Sequence, residues 1–460
     1  MLLKNDYKKI EKIIGNNNIL TSKEECYCYS TDSSNMQNAG KVPEAVVFVK
    51  NIEEIQNIMK YAYDNGIPIV SRGAGTNMVG SCVCANGGIV LNFSKMNKIL
   101  EIDSVNMTAT VQPGVVLGDL KSETEKLGLL FPPDPSNYRV STVGGAIAQS
   151  SSGAMAFKYG TTKDYVLSLT VVTSDGRIMK LGADTIKDSV GYHLAQLMVG
   201  SEGTLAVIAE ATLKLIPKPE AHRVVAAYFD EIDNCVESVS NIISKQIFPA
   251  AIDFMDKNSI ATTEEFVKCG LNTQKEGLLL VELDGFESSM EYQINKTKAA
   301  LKESGASEIR VSESEEDYND IWQARRVSFA AATRLAPDVL SDDIIVPRKN
   351  FSKMVKKCKE IANKYNLKMC LVAHAGDGNI HPQIALNIED EDEFRKYTDA
   401  KSEMYEYAIS LNGTISAEHG VGAEKKNYAS KIIDKNALEY MKMIKKVFDP
   451  KNILNPNKII

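Results

Sequence analysis

PPDPSNYRVSTVGGAIAQSSSGAMAFKYGTTKDYV, residues 132–166, decides how the first half of this chain is read. It carries Gly144, Gly145, Gly153 and Gly160 among many hydroxyl side chains. The segment is too polar to bury itself and long for a connection, so it reads as a loop that meets a ligand. Two shorter stretches share its character. SRGAGTNMVGSC (71–82) sets Gly73, Gly75 and Gly80 behind a short apolar run, and GSEGTLAVI occupies 200–208. Glycine lets backbone N–H groups turn inward against phosphate oxygens with no Cβ in the way. Taken alone, 71–82 also reads as a plain turn, and it lacks the G-x-x-x-x-G-K-[ST] spacing of nucleoside-triphosphate loops. Three such segments within about 140 residues fit a large, polar, phosphate-bearing cofactor.

The flanking pattern is mixed. VPEAVVFV (42–49) has strand character, whereas NIEEIQNIMKYAYDNG (51–66) repeats Ile52, Ile55, Ile58, Met59 and Ala62 at helical spacing and closes on Gly66. Further strands are expected in GGIVLNF, ILEIDSVNMTATVQPG, YVLSLTVVTSDGRIMKLG and LAVIAEATLKLIPKP, with a turn at Ser174–Asp175–Gly176. No regular βαβα alternation appears, which favours α+β over a doubly wound sheet. Pro217 and Pro219 mark a boundary. Beyond it, VVAAYF, AAIDFM and GLLLVELDG alternate with helical stretches near 231–245, 286–304, 316–335 and 350–365. That order predicts an antiparallel sheet covered on one face by helices.

The formal charge of −7 argues against nucleic acid as the main partner, because phosphate backbones need a basic face. Leu2, Leu3, Tyr7, Ile10, Ile13 and Ile14 fall at helical spacing between charges, which reads as a surface helix rather than a signal peptide. No apolar run reaches about 18 residues, so no membrane span is expected and the chain reads as cytoplasmic. Eight cysteines form no C-x-x-C. They read as buried or incidental thiols, with a redox or metal role as the other reading.

The chain has five histidines, and two of them, His374 and His381, flank the turn of AHAGDGNIH (373–381). Strand, tight turn and strand would bring both to one hairpin tip. A third follows in AEHGVG (417–422), where Glu418 precedes His419. Spacing leaves two readings open: polar hairpin histidines, or a divalent-metal set of His374, His381 and Glu418. His193 and His222 sit in no motif and read as structural or exposed.

These motifs carry a resemblance. SRGAGTNMVG, PPDPSNYRVSTVGGAIAQSSSG, KYGTTKDYVLSLTVVTSDGRI and GSEGTLAVI resemble the FAD-binding half of vanillyl-alcohol-oxidase-type flavoproteins. AHAGDGNIH, AEHGVG and FDPKNILNPNK are similar to the D-2-hydroxyacid dehydrogenase branch, and most to catalytic subunits of electron-bifurcating lactate dehydrogenases. The resemblance spans about residues 25–458 with its motifs in order. It implies a two-subdomain FAD-binding domain over 1–218, a substrate (cap) domain over 219–411, and a segment over 412–460 that returns to the first. Gly73, Ala74, Gly75, Thr76 and Asn77 would wrap the FAD pyrophosphate. Pro135, Ser136, Thr142, Gly145, Ser151, Gly153, Gly203 and Ile208 would line the dinucleotide and ring. The FAD would be non-covalent at the phosphate loop, since residues 66–80 hold no histidine.

The resemblance also implies one divalent ion (zinc, iron or manganese) on His374, His381 and Glu418, with His419 as the base. In IWQARRVSF (321–329) it points to Arg325 for the substrate carboxylate, against the reading that Arg325 and Arg326 are surface helix charges. The implied reaction is oxidation of a small D-2-hydroxy acid, D-lactate first, with glycolate or D-2-hydroxyglutarate as alternatives. Electrons would pass to an electron-transfer flavoprotein, or else to a quinone or another acceptor. An oxygen-using oxidase and a non-catalytic electron-transfer subunit are the rivals; neither calls for the histidine motifs.

Overall fold

The computed structural model describes residues 2–34 and 41–460. The chain forms two compact units. The first joins Met1–Ser152, Gly160–Lys218 and Glu418–Ile460; the second joins Gly153–Tyr159 and Pro219–Ala417.

The first unit holds two main sheets. One has the order Ile19–Leu20, Ala45–Phe48, Ile89–Asn92, Ile69–Arg72, and its last three strands run parallel. Parallel neighbours need a crossover, and the helix Ile52–Asn65 supplies one. Asn51 caps it by accepting from the Glu54 N–H, Gly66 closes it, and Ile55, Ile58, Met59 and Ala62 face the core. The second sheet is antiparallel, in the order Ile99–Asp103, Thr108–Val111, Val207–Lys214, Val166–Val172, Ile178–Gly182. Val172, Val207 and Ala209 of this sheet share a core cluster with Ile69, Ile89 and Leu91 of the other.

The polar stretch 132–166 is more ordered than its composition implies. It contains the helix Val143–Gln149, capped by Thr142, whose hydroxyl accepts from the Gly145 N–H at 3.3 Å. Val143, Ala146 and Ile147 are buried; those three apolar residues anchor a segment that otherwise presents polar groups.

The second unit is built on one antiparallel sheet. Its order is Glu308–Val311, Ala221–Phe229, Gly277–Gly285, Ala251–Asp256, Lys368–His374, Asn379–Leu386, Asp338–Ser341, and Ile344–Ile345 also pairs with Asn379–Leu386. Here the one-face expectation is corrected. Phe254 and Met255 are consecutive in a strand and so point to opposite faces. Phe254 packs edge-on against Phe351 of the helix Phe351–Lys364, at 6.3 Å between ring centroids. Met255 clusters with Ile260, Ile321 and Trp322 from two other helices, Lys257–Val267 and Glu315–Arg326. Helices therefore cover both faces, which explains why Leu278–Leu283 is an almost unbroken apolar run rather than an alternation. A second difference lies near 316–335, where the sequence pattern suggests one helix. The helical ladder breaks at Val327 (φ −92°, ψ 0°), giving Glu315–Arg326 and Ser328–Ala332.

Candidate functional site

In the first unit the glycine-rich segments converge on one cleft of about 930 Å³, a volume that includes its open mouth. Gly73, Ala74, Gly75, Thr76 and Asn77 line it, as do Pro135, Ser136, Thr142, Gly145, Ser151 and Gly203. Ile208 lines a smaller hollow that shares Ser71, Gly73, Thr142 and Gly145 with it. Gly153 does not line the cleft; it belongs to the second unit. Two of the motifs touch directly, since a Cβ at residue 73 would collide with the Thr142 hydroxyl. The size suits a large bound molecule. Its chemistry suits a polar one: Ser71 Oγ, Ser141 Oγ and Gln149 Oε1 line the cleft, buried and without a hydrogen-bond partner among the described residues. Orphaned buried polar atoms are costly, and a dinucleotide bearing hydroxyls, amides and phosphates would satisfy them. FAD therefore fits this cleft.

Sequence reasoning missed what braces the cleft. Glu202, buried and in a left-handed backbone conformation (φ 50°), accepts from the Ser81 hydroxyl and from the N–H groups of Val421 and Gly422 at 2.7 and 2.9 Å. Burial pushes its carboxyl above the usual range, against the pull of those donors. The chain's last residues hold the glycine loop from behind. Lys458 Nζ donates to the Gly80 carbonyl at 2.6 Å, and Asn455 Nδ2 donates to the carbonyls of Ser81 and Glu202, both at 2.7 Å. Burial lowers the Lys458 ammonium's pKa. These residues lie in GSEGTL and NPNK, motifs whose spacing gives no role to their charges.

Glu418 and His419 also line this cleft. Glu418 accepts from the Ser152 hydroxyl at 3.0 Å. The His419 carbonyl accepts from Asn77 Nδ2 at 3.1 Å, so the phosphate-loop asparagine fixes the base candidate's backbone. Gly422 is required where it stands: its φ is 55°, and a Cβ there would run into the Val79 carbonyl.

The second unit carries the two hairpin histidines. The strands Lys368–His374 and Asn379–Leu386 pair antiparallel, with Gly378 (φ 84°) in the turn, and they set the rings of His374 and His381 5.3 Å apart and nearly perpendicular. His374 Nδ1 donates to Asp253 Oδ1 at 2.9 Å, and His381 Nδ1 donates to the Asp342 carbonyl at 3.2 Å. A committed Nδ1–H leaves the lone pair on Nε2 in each neutral ring. Two such imidazoles side by side suit a divalent cation. Asn379 Nδ2 donates to Asp343 Oδ1 at 2.8 Å, and Asp343 Oδ2 accepts from Ser416 Oγ and the Ala417 N–H. The Asp342 carboxylate is gripped by the hydroxyls of Tyr397 and Tyr405 with Lys401 nearby; burial first, then that carboxylate, pushes the Tyr405 hydroxyl well above its ordinary value.

Arg325 is buried rather than a surface helix charge, 8% exposed, and its Nε lies 2.7 Å from Asp253 Oδ2. That contact is an ion pair poorly aligned for a hydrogen bond. Burial alone would raise the Asp253 carboxyl; electrostatic attraction to His374 and Arg325, with the His374 hydrogen bond, outweighs it and holds the group below the usual carboxylate range. His193 is exposed, and His222 pairs with Glu315 at 2.8 Å.

The FAD-binding domain family matches residues 43–182, and the C-terminal domain of FAD-linked oxidases matches residues 218–459. The chain is 40% identical over 459 residues to the glycolate oxidase subunit GlcD of Bacillus subtilis (strain 168), covering 100% of this chain and 97% of that one. It is 36% identical over 427 residues to the D-lactate dehydrogenase of Anaerostipes hadrus, covering 91% of this chain and 89% of that one. Among solved structures, p-cresol methylhydroxylase with substrate bound superposes with a TM-score of 0.82 at 16% identity, over 100% of this chain and 97% of that one. Fold and cleft thus define a flavoprotein of the vanillyl-alcohol-oxidase type. The chain belongs, more particularly, to the FAD-linked oxidases, the family whose two domains it carries.

Proposed function

We propose that the chain is an FAD-dependent D-2-hydroxyacid dehydrogenase that oxidises D-lactate to pyruvate. The observation that carries this reading is the second unit's cluster: two imidazoles with committed Nδ1 atoms, beside a buried guanidinium held by the same carboxylate as one of them. When bound, FAD supplies the two-electron acceptor, and a divalent ion (zinc, iron or manganese) lowers the pKa of the substrate hydroxyl. The glycine-rich cleft of the first unit seats the FAD without a covalent bond. His374 and His381 would hold the ion, with Glu418 as the third ligand that the resemblance implies. Arg325 pairs with the substrate carboxylate through its outer guanidinium nitrogens. His419 takes the hydroxyl proton as the general base.

The eight cysteines show no C-x-x-C pair and none of the clustered four-cysteine spacing that iron–sulfur ligation uses. Electrons then leave to a separate acceptor, which we take to be an electron-transfer flavoprotein. The 40% identity to a glycolate oxidase subunit favours glycolate as the alternative substrate, with a quinone or similar acceptor.

The test uses His374→Ala and His381→Ala. Each should lose the divalent ion and D-lactate turnover with an artificial acceptor while keeping FAD, because the flavin cleft is built by other segments. Wild-type protein that is fully active after exhaustive chelation would overturn the metal assignment.

A further inference from the structure

We infer that Asp253 is a positioning residue that sets both His374 and Arg325 for their tasks; the inference rests on the metal and carboxylate roles proposed above. Asp253 lies in the strand Ala251–Asp256, directly opposite His374 in the antiparallel register, so the two side chains share one face of the sheet. It is 1% exposed. Each of its oxygens serves a different partner: Oδ1 accepts from His374 Nδ1 at 2.9 Å, and Oδ2 lies 2.7 Å from Arg325 Nε.

A buried ion pair is by itself weak evidence of stabilisation, because desolvation offsets its attraction. Two features give this one a second purpose. The carboxylate accepts at Nδ1, which fixes the tautomer that presents the Nε2 lone pair and stops the ring from rotating. It also pairs with the guanidinium at Nε, the inner nitrogen, 2.7 Å away, whereas a carboxylate is recognised by the two outer nitrogens. One side chain thereby ties the orientation of a proposed metal ligand to that of a proposed substrate ligand. No sequence motif marks it, since a single aspartate in AAIDFM looks like a polar break in an apolar strand.

The experiment compares wild-type protein, Asp253→Asn and Asp253→Glu, each purified with FAD and then stripped of metal. FAD content and melting temperature report folding, and calorimetric titration with Zn²⁺ alone reports the metal site. Asp253→Asn should bind zinc about 10–100-fold more weakly, the usual cost of losing a ligand's outer partner. Its KM for D-lactate should rise by more than its kcat falls, and Asp253→Glu should recover part of the zinc affinity. Should Asp253→Asn fail to fold, ¹⁵N-histidine spectra of the wild-type protein decide instead: His374 protonated at Nδ1 is expected, and a proton on Nε2 alone overturns the inference. A folded Asp253→Asn that binds zinc as tightly as wild type also overturns it while leaving the metal reading intact. Wild-type protein that binds no zinc sinks both.

Discussion

The backbone around His419 is held in place. Asn77 donates to the His419 carbonyl, and the peptide N–H groups of Val421 and Gly422 donate to Glu202. The imidazole thus projects from a braced loop beside the flavin cleft, which suits a group that must meet a substrate proton at a fixed place. Replacing it should therefore spare the cleft. His419→Asn is expected to keep FAD and metal and to slow flavin reduction by about 10²–10⁴-fold, the range for a lost general base. Stopped-flow reduction at close to the wild-type rate would remove it from that role. At this scale the motif residues are readable in sequence because glycine, histidine and acid patterns are rare and local. Asp253, Glu202 and Lys458 are not, because a lone charge in a strand or tail has no meaning until the fold shows what it faces.

Elements are legible where one face alone is apolar. The helix Ile52–Asn65 shows its buried stripe, its asparagine cap and its closing glycine in sequence, and it forms as expected apart from a residue at each end. Legibility fails where context overrides pattern. The helix Lys257–Val267 buries only Ser259, Ile260 and Thr263, too little for a helical apolar period to stand out. The helix Val143–Gln149 hides inside a polar, glycine-rich stretch. The sheet of the second unit is covered twice, so its strands lose the alternation that marks a one-sided sheet.

The chain's last segment belongs to this scale too. Asn455 N donates to the Ile69 carbonyl and Ile69 N to the Ile453 carbonyl, so the tail runs beside the strand that feeds the glycine loop. Lys458 then grips the loop at Gly80. Lys458→Met would keep the packing and leave that buried carbonyl unsatisfied, at a cost of about 1–3 kcal/mol. Equilibrium dialysis should show FAD bound at least several-fold more weakly; unchanged affinity would mean the tail only packs.

At the scale of the whole molecule, the order of motifs along the chain is enough to point to the family, since glycine loops, histidine hairpin and tail follow one another in a consistent sequence. The family match and relatives spanning nearly all of the chain agree with that reading. Among the described residues no helix is long and apolar enough to cross a membrane. Substrate choice is not legible in sequence, because D-lactate, glycolate and D-2-hydroxyglutarate share the hydroxyl and carboxylate that the proposed site recognises and differ only in what lies beyond. The decisive measurement needs no assumption about the electron acceptor. Anaerobic protein with its bound flavin is mixed with D-lactate, L-lactate, glycolate and D-2-hydroxyglutarate in turn, and the visible flavin band is followed. Rapid bleaching by D-lactate, slower bleaching by glycolate and D-2-hydroxyglutarate and none by L-lactate is the expected result; a flavin that no 2-hydroxy acid reduces, or that only L-lactate reduces, would contradict the proposed reaction.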